Sequence, residues 1–255
     1  MKGLIAAGGN ATRLEELTRV TNKHLLPVGH WPMVYYPLQL LQRASVHEVL
    51  IVTGQQHAGQ FIDLLGDGHV RARAGDEMIF DLDLTYKVQT AAGGIAQVVG
   101  MARDFAKGEQ LVVCLGDNIF ENAQTDAIRS WGDGAMVFVK EVPDPENFGV
   151  VVYDGGMNVT DIVEKAGRVD MRYDAPPSND AVVGLYCYPP DVFEIIDGLA
   201  PSNRGELEIT DVNRVYAQRG DLAVRRVEGW WHDGGKHWAD LADIGRRIDE
   251  TGANK

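Results

Sequence analysis

The sequence contains few of the features that define several large protein classes. It has only two cysteines in 255 residues, Cys114 and Cys187, and both stand in apolar segments far apart in the chain. Their scarcity excludes a disulfide framework and a cysteine-based zinc site, and it predicts two buried, unreactive thiols. No apolar run approaches the roughly 20 residues that span a bilayer, and no signal-peptide pattern follows Met1. We therefore expect a cytoplasmic protein with no membrane partner.

Basic residues are also scarce. The chain has 24 lysines and arginines against 37 aspartates and glutamates, which gives a formal net charge of −13. A nucleic-acid groove needs a basic face that replaces counterions, so this composition disfavours a nucleic-acid partner. A small anionic substrate remains compatible, because a few cationic side chains in one cleft outweigh a distant acidic surface. The hydrophobic content of 45% is that of an ordinary globular chain, long enough to bury a large core.

Short apolar runs alternate with segments of helical periodicity in the first half of the chain. Nearly continuous apolar runs are typical of strands that are buried on both faces of a parallel sheet. Apolar residues at three- and four-residue spacing indicate crossover helices between them. This alternation predicts an α/β fold with a doubly wound, mostly parallel sheet. The predicted strands are 3–7, 49–53, 84–89 and 111–116, and the predicted helices are 35–44, 59–66 and 95–106.

The second half has a different pattern. Three runs separated by turn-rich breaks predict a strand-rich subregion, and a further buried strand follows it. A helical pattern then ends at a glycine, and the last helix has Trp238, Leu241, Ile244 and Ile248 on one face. No long linker or repeat interrupts the chain, so we expect a single domain with an inserted, substrate-covering subregion. The runs are 135–142, 148–155 and 159–166, the buried strand is 181–189, and the helices are 206–220 and roughly 236–250.

A glycine-rich loop follows the first predicted strand. In GLIAAGGNATRL, Gly8 and Gly9 stand at the carboxyl end of the strand, where open α/β sheets bind ligands. Glycines there let backbone N–H groups approach a phosphate or a base, and Arg13 can offer a bidentate fork to phosphate oxygens. The loop has neither the GxGxxG pattern nor the Walker lysine, so it is neither a Rossmann dinucleotide fingerprint nor a P-loop.

The segment GGNATRLEELTRVTNKHLLPVGHWPMVYYPL resembles the signature of sugar-1-phosphate nucleotidyltransferases, most closely that of the glucose-1-phosphate thymidylyltransferases. The resemblance continues in order through VQTAAGGIAQ, LGDNIF, FGVVVYD, VEKA, GLYCY and RGELEITDVNRVY. It implies a Rossmann-like fold and a Mg²⁺-dependent enzyme. Such an enzyme joins a nucleoside triphosphate, dTTP or UTP, to a sugar 1-phosphate and releases pyrophosphate.

The resemblance also implies that different parts of the single domain 1–255 bind the nucleotide and the sugar. Residues 1–120 would mainly bind the nucleotide, 121–235 would mainly bind the sugar, and 236–255 would form a C-terminal helix and tail. A cytidylyl, guanylyl or amino-sugar specificity within the same architecture stays open, because the pocket walls decide it. So does a regulatory protein that binds a nucleotide sugar with little catalysis.

The resemblance assigns residues to the triphosphate and its base. Arg13 would hold the departing pyrophosphate and Lys23 would also contact the phosphates, so both join Lys165 as catalytic candidates. The amide of Gln89 can pair with a pyrimidine, and Gly94 would let the base lie against backbone. The alternative for Gln89 is a structural amide at a strand end. The implied nucleotide-binding residues are Gly8, Gly9, Thr12, Arg13, Gln89, Gly94 and Asp117.

Asp117 and Asp233 are the implied metal ligands. Each follows an apolar segment, and two carboxylates suit Mg²⁺, which takes its remaining ligands from phosphates and water. An aspartate after a strand is more often a turn or N-cap residue. The family usually has W-L-D-T-G-T-H at the second position, whereas this chain has WHDGGKH.

The sugar phosphate is assigned to the second half. Glu164 would accept hydrogen bonds from sugar hydroxyls and Lys165 would bind the sugar's phosphate, although an exposed ion pair is the alternative. Ala166 replaces the proline that usually follows this pair. Tyr186 and Trp231 either line the sugar pocket or belong to the core. The implied sugar-phosphate-binding residues are Gly149, Glu164, Lys165, Tyr186, Arg204 and Trp231, with Glu206, Glu208 and Asp211 orienting the loop near Arg204.

Two departures lead to further expectations. Ala11 stands where the family has glycine, and its methyl group would weaken triphosphate binding. The last predicted helix ends near 250, so the resemblance is to a short form without the C-terminal allosteric helices, and we expect weak or absent product feedback. Relatives form dimers and tetramers, which makes a homo-oligomer the expected assembly.

Overall fold

The structure is a computed structural model that describes residues 1–8, 14, 17–72, 77–234 and 237–255. It divides into two compact units. The first comprises Met1–Ala92, Leu111–Ser130 and Glu228–Lys255, and the second comprises Gly93–Gln110 and Trp131–Val227. This division differs from the expected halves, because residues 93–110 belong to the second unit and residues 121–130 and 228–235 to the first. The expectation of one domain is a separate point and stays a prediction.

Strands and helices alternate along most of the described chain, with short 3-10 turns at Lys23–Leu25, Gln55–His57 and Pro145–Asn147. No helix in the described ranges combines the length and the apolar character that a membrane-spanning helix needs. The strands are β1 (Lys2–Ala7), β2 (Pro27–Val28), β3 (Trp31–Pro32), β4 (Glu48–Gly54), β5 (His69–Arg71), β6 (Met78–Asp81), β7 (Asp83–Gln89), β8 (Leu111–Leu115), β9 (Asn118–Phe120), β10 (Ala135–Glu141), β11 (Gly149–Tyr153), β12 (Val159–Glu164), β13 (Asp180–Tyr188), β14 (Leu222–Arg226) and β15 (Trp231–Asp233). The helices are α1 (Tyr35–Arg43), α2 (Ala58–Leu65), α3 (Ile95–Gly100), α4 (Arg103–Ala106), α5 (Thr125–Arg129), α6 (Val192–Asp197), α7 (Ile209–Arg219) and α8 (Trp238–Thr251).

The first unit contains a parallel sheet with the strand order β8-β1-β4-β7. The predicted α/β class and its mostly parallel sheet are confirmed. β1, β4 and β8 are buried almost throughout, as their continuous apolar runs predict. All four strands run in one direction, so their carboxyl ends meet at the same edge. Gly8, Gly54 and Gln89 lie at that edge, at the ends of β1, β4 and β7.

The second unit contains a mixed sheet with the order β12-β11-β13-β10-β14. β11 pairs antiparallel with β12 and β13, β13 pairs antiparallel with β10, and β10 pairs parallel with β14. The predicted strand-rich region is therefore confirmed. β14 was not predicted, because its sequence LAVRR is short and ends in two arginines. α7 lies within the predicted range and ends at Gly220, which has a φ of +75°.

Two predicted helices need correction. The segment 95–106 was predicted as one helix, but α3 and α4 are separate, with a break after Gly100, a residue that destabilises helices. In α8, Ile244 and Ile248 are buried and Leu241 packs against them. Trp238, predicted to share this apolar face, is 71% exposed. It is the first residue of the helix, beyond the core that the following turns cover.

Cys114 on β8 and Cys187 on β13 are both buried and free. Burial raises the pKa of the Cys114 thiol well above its usual range, because the thiolate would lose its hydration. The thiol therefore stays protonated at neutral pH and is a poor nucleophile. The prediction that both cysteines are buried is confirmed, and their lack of reactivity stays a prediction.

Candidate functional site

The first part of the site is a cavity of about 420 Å³ at the carboxyl edge of the parallel sheet. Gly8 and Gln89 meet in its wall, because a Cβ placed on Gly8 would lie 2.5 Å from Oε1 of Gln89. A side chain at position 8 would therefore displace this amide. The lining residues are Gly8, Thr18, Thr21, Asn22, Gly54, Gln55, Gln56, His57, Gln89, Thr90, Ala91 and Ala92.

In the predicted phosphate-binding loop, Gly9, Ala11, Thr12 and Arg13 lie outside the described residues. Their expected contacts with the triphosphate, and the expected effect of the Ala11 methyl group, stay predictions. Gly8 is the member of this loop that the structure does describe.

Lys23 and Asp117 form an ion pair that joins two distant segments of the first unit. Nζ of Lys23 donates to Oδ2 of Asp117, and the two side chains are only 14% and 13% exposed. Burial alone would raise the pKa of Asp117. The Lys23 ammonium, together with hydrogen bonds from Lys23 and Asn118, outweighs burial and lowers that pKa to about 2. Asp117 is therefore a carboxylate at any physiological pH.

Two neighbours of Lys23 were missed by the sequence reasoning, which gave the histidines no role. Asn22 is 4% exposed and His24 is 2% exposed. Oδ1 of Asn22 accepts from the backbone N of His24 at 3.0 Å and lies 2.5 Å from its Nδ1, and Nδ2 of Asn22 donates to Ala7 O at 3.2 Å. Burial lowers the pKa of His24 to about 3, so its ring is neutral. Their position on either side of Lys23 was the available signal.

Short strands bring Asp233 next to Asp117. β15 pairs antiparallel with β9 so that Asp233 is the register partner of Asn118. The backbone N of Gly234 donates to Asp117 O at 2.7 Å, which places the two aspartates on adjoining backbone. Nε1 of Trp231 donates to Oδ1 of Asn118 at 2.7 Å and braces the same pair of strands. The predicted convergence of Asp117 and Asp233 is therefore seen at the level of the backbone.

The donor set of this pair fits Mg²⁺. Asp117 offers ionised carboxylate oxygens, and Asp233 offers a second carboxylate from the adjoining backbone. No group of three or more metal-ligating side chains occurs within the described ranges. Two carboxylates are what Mg²⁺ needs when phosphates and water complete its octahedron, whereas zinc and calcium sites use more protein ligands.

The second unit carries five of the six residues predicted for the sugar phosphate, whereas Trp231 belongs to the first unit. Gly149 on β11 is the register partner of Glu164 on β12. Oε2 of Glu164 accepts from the Thr210 hydroxyl at 2.6 Å, and Oε1 lies 3.2 Å from Nζ of Lys165. A Cβ on Gly149 would lie 3.2 Å from both Oε2 of Glu164 and Oγ1 of Thr210. A side chain at position 149 would therefore crowd both oxygens, and the predicted approach of a sugar to this backbone stays a prediction.

Arg204 is engaged by an acidic side chain in this structure. Its Nη2 donates to both carboxylate oxygens of Glu208 at 2.9 Å, and Nε donates to Oε1 at 3.2 Å. Glu206 lies 3.6 Å away. Glu208 also accepts from the Ser202 hydroxyl at 2.7 Å, so it holds the loop in the way that the sequence predicts. The role of Arg204 as a phosphate ligand stays a prediction.

Two assigned residues have structural explanations. Tyr186 is 3% exposed and stacks on Tyr188 with 5.9 Å between ring centroids, which agrees with the core alternative rather than a pocket wall. Gly94 belongs to the second unit and has a φ of +90°. A Cβ there would lie 2.3 Å from Leu207 O, so this close packing by itself explains the glycine. The predicted contact of Gly94 with a base is untested.

Comparison with known proteins identifies the family of this chain. The nucleotidyl transferase family model matches residues 2–250. A glucose-1-phosphate thymidylyltransferase of Xanthomonas campestris pv. campestris is 41% identical over 92% of this chain and 77% of its own length. The enzyme of that name from Neisseria meningitidis is 38% identical over 93% of this chain and 79% of its own length.

Solved structures give the same result. A Bacillus anthracis protein, solved with sucrose and provisionally named a glucose-1-phosphate thymidylyltransferase, aligns with a TM-score of 0.84 at 40% identity. The alignment covers 97% of this chain and 96% of that protein. A UDP-glucose pyrophosphorylase solved with UDP-glucose aligns with a TM-score of 0.83 at 22% identity over 98% of both chains, which supports the fold alone. The chain thus belongs to the nucleotidyl transferase family.

Proposed function

We propose that this nucleotidyltransferase transfers a nucleotidyl group from dTTP or UTP to glucose 1-phosphate. The products are dTDP-glucose or UDP-glucose and pyrophosphate. The observation that carries the proposal is the buried pair of Lys23 and Asp117, next to Asp233 on adjoining backbone. A cation and two carboxylates at the carboxyl edge of a parallel sheet suit a substrate that carries three phosphates and a divalent ion.

The cavity beside Gly8 is the proposed site of the base and ribose. Gln89 presents an amide there, and an amide can pair with both the carbonyl and the imide N–H of a pyrimidine. Thymine and uracil share that edge, so this contact accepts both bases. The curated relatives named for thymidylyl transfer favour dTTP.

Asp117 and Asp233 would hold the Mg²⁺ ion. When bound, the ion would neutralise charge on the nucleotide's phosphates and favour departure of pyrophosphate. Lys23 would contribute a second positive charge through its ammonium group, which the Asp117 carboxylate already holds in place. The low pKa of Asp117 keeps this carboxylate available as a ligand.

Glu164 and Lys165 are proposed to bind the sugar phosphate. The attacking group is a phosphate oxygen that is already anionic, so the reaction needs little base catalysis. The work of the protein is to position two polyanions and to screen their repulsion so that the oxygen attacks the α-phosphorus in line. Lys165 would screen the sugar's phosphate, and Glu164 would accept hydrogen bonds from sugar hydroxyls.

The test is pyrophosphate release from glucose 1-phosphate with each of dTTP, UTP, CTP and GTP, with and without Mg²⁺. We expect turnover with dTTP or UTP, lost on removal of the ion and in an Asp117→Asn variant. Saturable binding of a nucleotide sugar without turnover on any triphosphate would instead indicate a regulatory binding protein. The cytoplasmic location and a dimeric or tetrameric assembly stay predictions.

A further inference from the structure

Five charged side chains in the second unit form a continuous set of ion pairs, which we call the ion-pair cluster. Arg172 donates to Asp170 through Nη2 at 2.6 Å and through Nε at 2.9 Å, and to Asp161 through Nη1 at 2.8 Å. Arg214 donates to Asp161 at 3.1 Å, to Asp170 at 3.2 Å and to Asp211. The cluster thus joins the loop after β12 to β12 itself and to α7.

The loop held by this cluster begins at Lys165. Its backbone bonds close on themselves: Asp170 N donates to Glu164 O at 3.0 Å, and the N atoms of Arg168 and Val169 both donate to Lys165 O. Lys165 has a φ of +45°, a conformation that residues other than glycine rarely adopt. Other interactions in the loop must offset the free-energy cost of this backbone conformation. The side chain of Asp170, held by two arginines, is placed to do so.

α7 holds the same segment at two points. Thr210 donates to Glu164, and Arg214, one helical turn later, donates to Asp161 and Asp170. Residues four apart lie on the same face of a helix, so one face of α7 contacts both ends of the loop. Nη2 of Arg214 also donates to Ile162 O at 3.1 Å, which fixes the guanidinium against β12.

Two of the three acidic members of the cluster are unusually enclosed for a surface segment, and the third, Asp211, is 29% exposed. The side chains of Asp161 and Asp170 are 12% and 10% exposed, whereas Arg172 is 48% exposed. Exposed ion pairs contribute little to stability, and enclosed carboxylates carry a desolvation cost. A cluster that adds little net stability but imposes a single geometry is better explained by what it positions. The loop that the cluster holds begins directly after Glu164, at Lys165, so these are the residues that the cluster would position.

We propose that Asp170, Arg172 and Arg214 are positioning residues that hold Glu164 and Lys165 ready for the sugar phosphate. The inference rests on the proposed function of Lys165. It adds that affinity for the sugar phosphate, but not for the nucleotide, depends on charges that touch neither substrate. Ala166, in place of the proline usual in the family, leaves the backbone after Lys165 without a ring constraint, and the cluster supplies a constraint by other means.

The experiment compares Asp170→Asn with a matched control, Arg168→Gln. Arg168 lies in the same loop and is exposed, and it bonds Asn147 rather than the cluster. For each variant we would measure the KM for glucose 1-phosphate, the KM for the nucleotide, and hydrogen exchange of the peptide that contains residues 165–172. An Arg172→Lys variant keeps the charge and removes the planar fork, which tests the geometry of the contact.

We expect Asp170→Asn to raise the KM for glucose 1-phosphate about ten-fold, because a charge-assisted contact is lost. Exchange in 165–172 should accelerate while the KM for the nucleotide changes less than about two-fold. Arg172→Lys should fall between wild type and Asp170→Asn, and Arg168→Gln should match wild type. An unchanged KM for glucose 1-phosphate in Asp170→Asn, with or without faster exchange, would overturn the positioning role while the proposed function stands. A wild-type protein without turnover would instead refute both.

Discussion

The two units of this protein hold their candidate ligands in different ways. In the first unit, Lys23 lies in a 3-10 turn and Asp117 follows β8, and the two form one enclosed ion pair with side chains that are 14% and 13% exposed. In the second unit, Glu164 ends β12 and Lys165 follows it, and a set of ion pairs whose arginines, Arg172 and Arg214, are 48% and 22% exposed holds the loop that follows. The first arrangement is a single enclosed ion pair, and the second is a network of five charges whose arginines reach solvent. Substitutions in the two units should therefore differ in which substrate they affect.

The largest expected effect is that of Asp117→Asn. The change removes the charge that Lys23 and the metal would share, so we expect kcat to fall about 100- to 1,000-fold. Pyrophosphate release under saturating substrates measures it. Asp63→Asn, an exposed aspartate on α2, is the matched control and should retain wild-type kcat. A variant at position 117 with near-normal kcat would remove the main support for the proposed function.

Lys165→Met should act on the other substrate. Removal of this ammonium leaves the sugar phosphate without its proposed cation, so we expect the KM for glucose 1-phosphate to rise about 30-fold. The KM for the nucleotide should change little. Steady-state kinetics with each substrate varied in turn gives both constants. Equal increases in both KM values would break the contrast between the units.

A pair of glycine substitutions sharpens the same comparison at smaller magnitude. A Cβ on Gly8 would meet the Gln89 amide at 2.5 Å, and a Cβ on Gly149 would meet Glu164 and Thr210 at 3.2 Å. Gly8→Ala should raise the KM for the nucleotide about five-fold, and Gly149→Ala should raise the KM for glucose 1-phosphate about three-fold. Each variant serves as the control for the other. The reverse assignment of effects would contradict the proposed sites.

The smallest expected effect concerns acid stability. Hydrogen bonds from Arg172 lower the pKa of Asp170, with Arg214 also facing it. A lowered pKa adds stability above the unfolded-state value of about 3.9, and this stability is lost as the pH falls below it. Wild type should exceed Asp170→Asn by about 1 kcal/mol or less in free energy of unfolding at pH 6. Urea unfolding at pH 6 and pH 3 measures the difference, which should shrink at pH 3. A constant difference would show that the charge of Asp170 is not involved.

Much of the first unit could be predicted from the sequence. β1, β4 and β8 are nearly continuous apolar runs, because a strand that is buried on both faces needs apolar side chains at almost every position. In the second unit, the prediction of one helix over 95–106 was wrong, because apolar periodicity does not show where a glycine divides a helix. Trp238 illustrates a related limit. It has the correct spacing for the apolar face of α8, but whether a core reaches the first turn depends on what packs there.

The candidate site shows a similar division. Asp117 and Asp233 could be named from motifs, but their proximity depends on β9 and β15, two three-residue strands that pair across more than 100 positions. Asn22 and His24 bond each other beside Lys23, but their burial and the bond from Asn22 to Ala7 O depend on the fold, so their position next to Lys23 was the only signal in the sequence. The ion-pair cluster was missed for the same reason, since Arg214 meets Asp161 and Asp170 from a separate helix.

By itself, the sequence determined the elements and the chemical types at the site, because hydrophobic periodicity, glycine-rich turns and motif order are local properties of the chain. The tertiary structure alone decided which charges meet. In the folded chain, Lys23 pairs with Asp117, Arg204 pairs with Glu208, and Asp170 lies between Arg172 and Arg214. Electrostatic interactions between side chains depend on their distance and burial in three dimensions, and neither quantity can be obtained from the order of the residues alone.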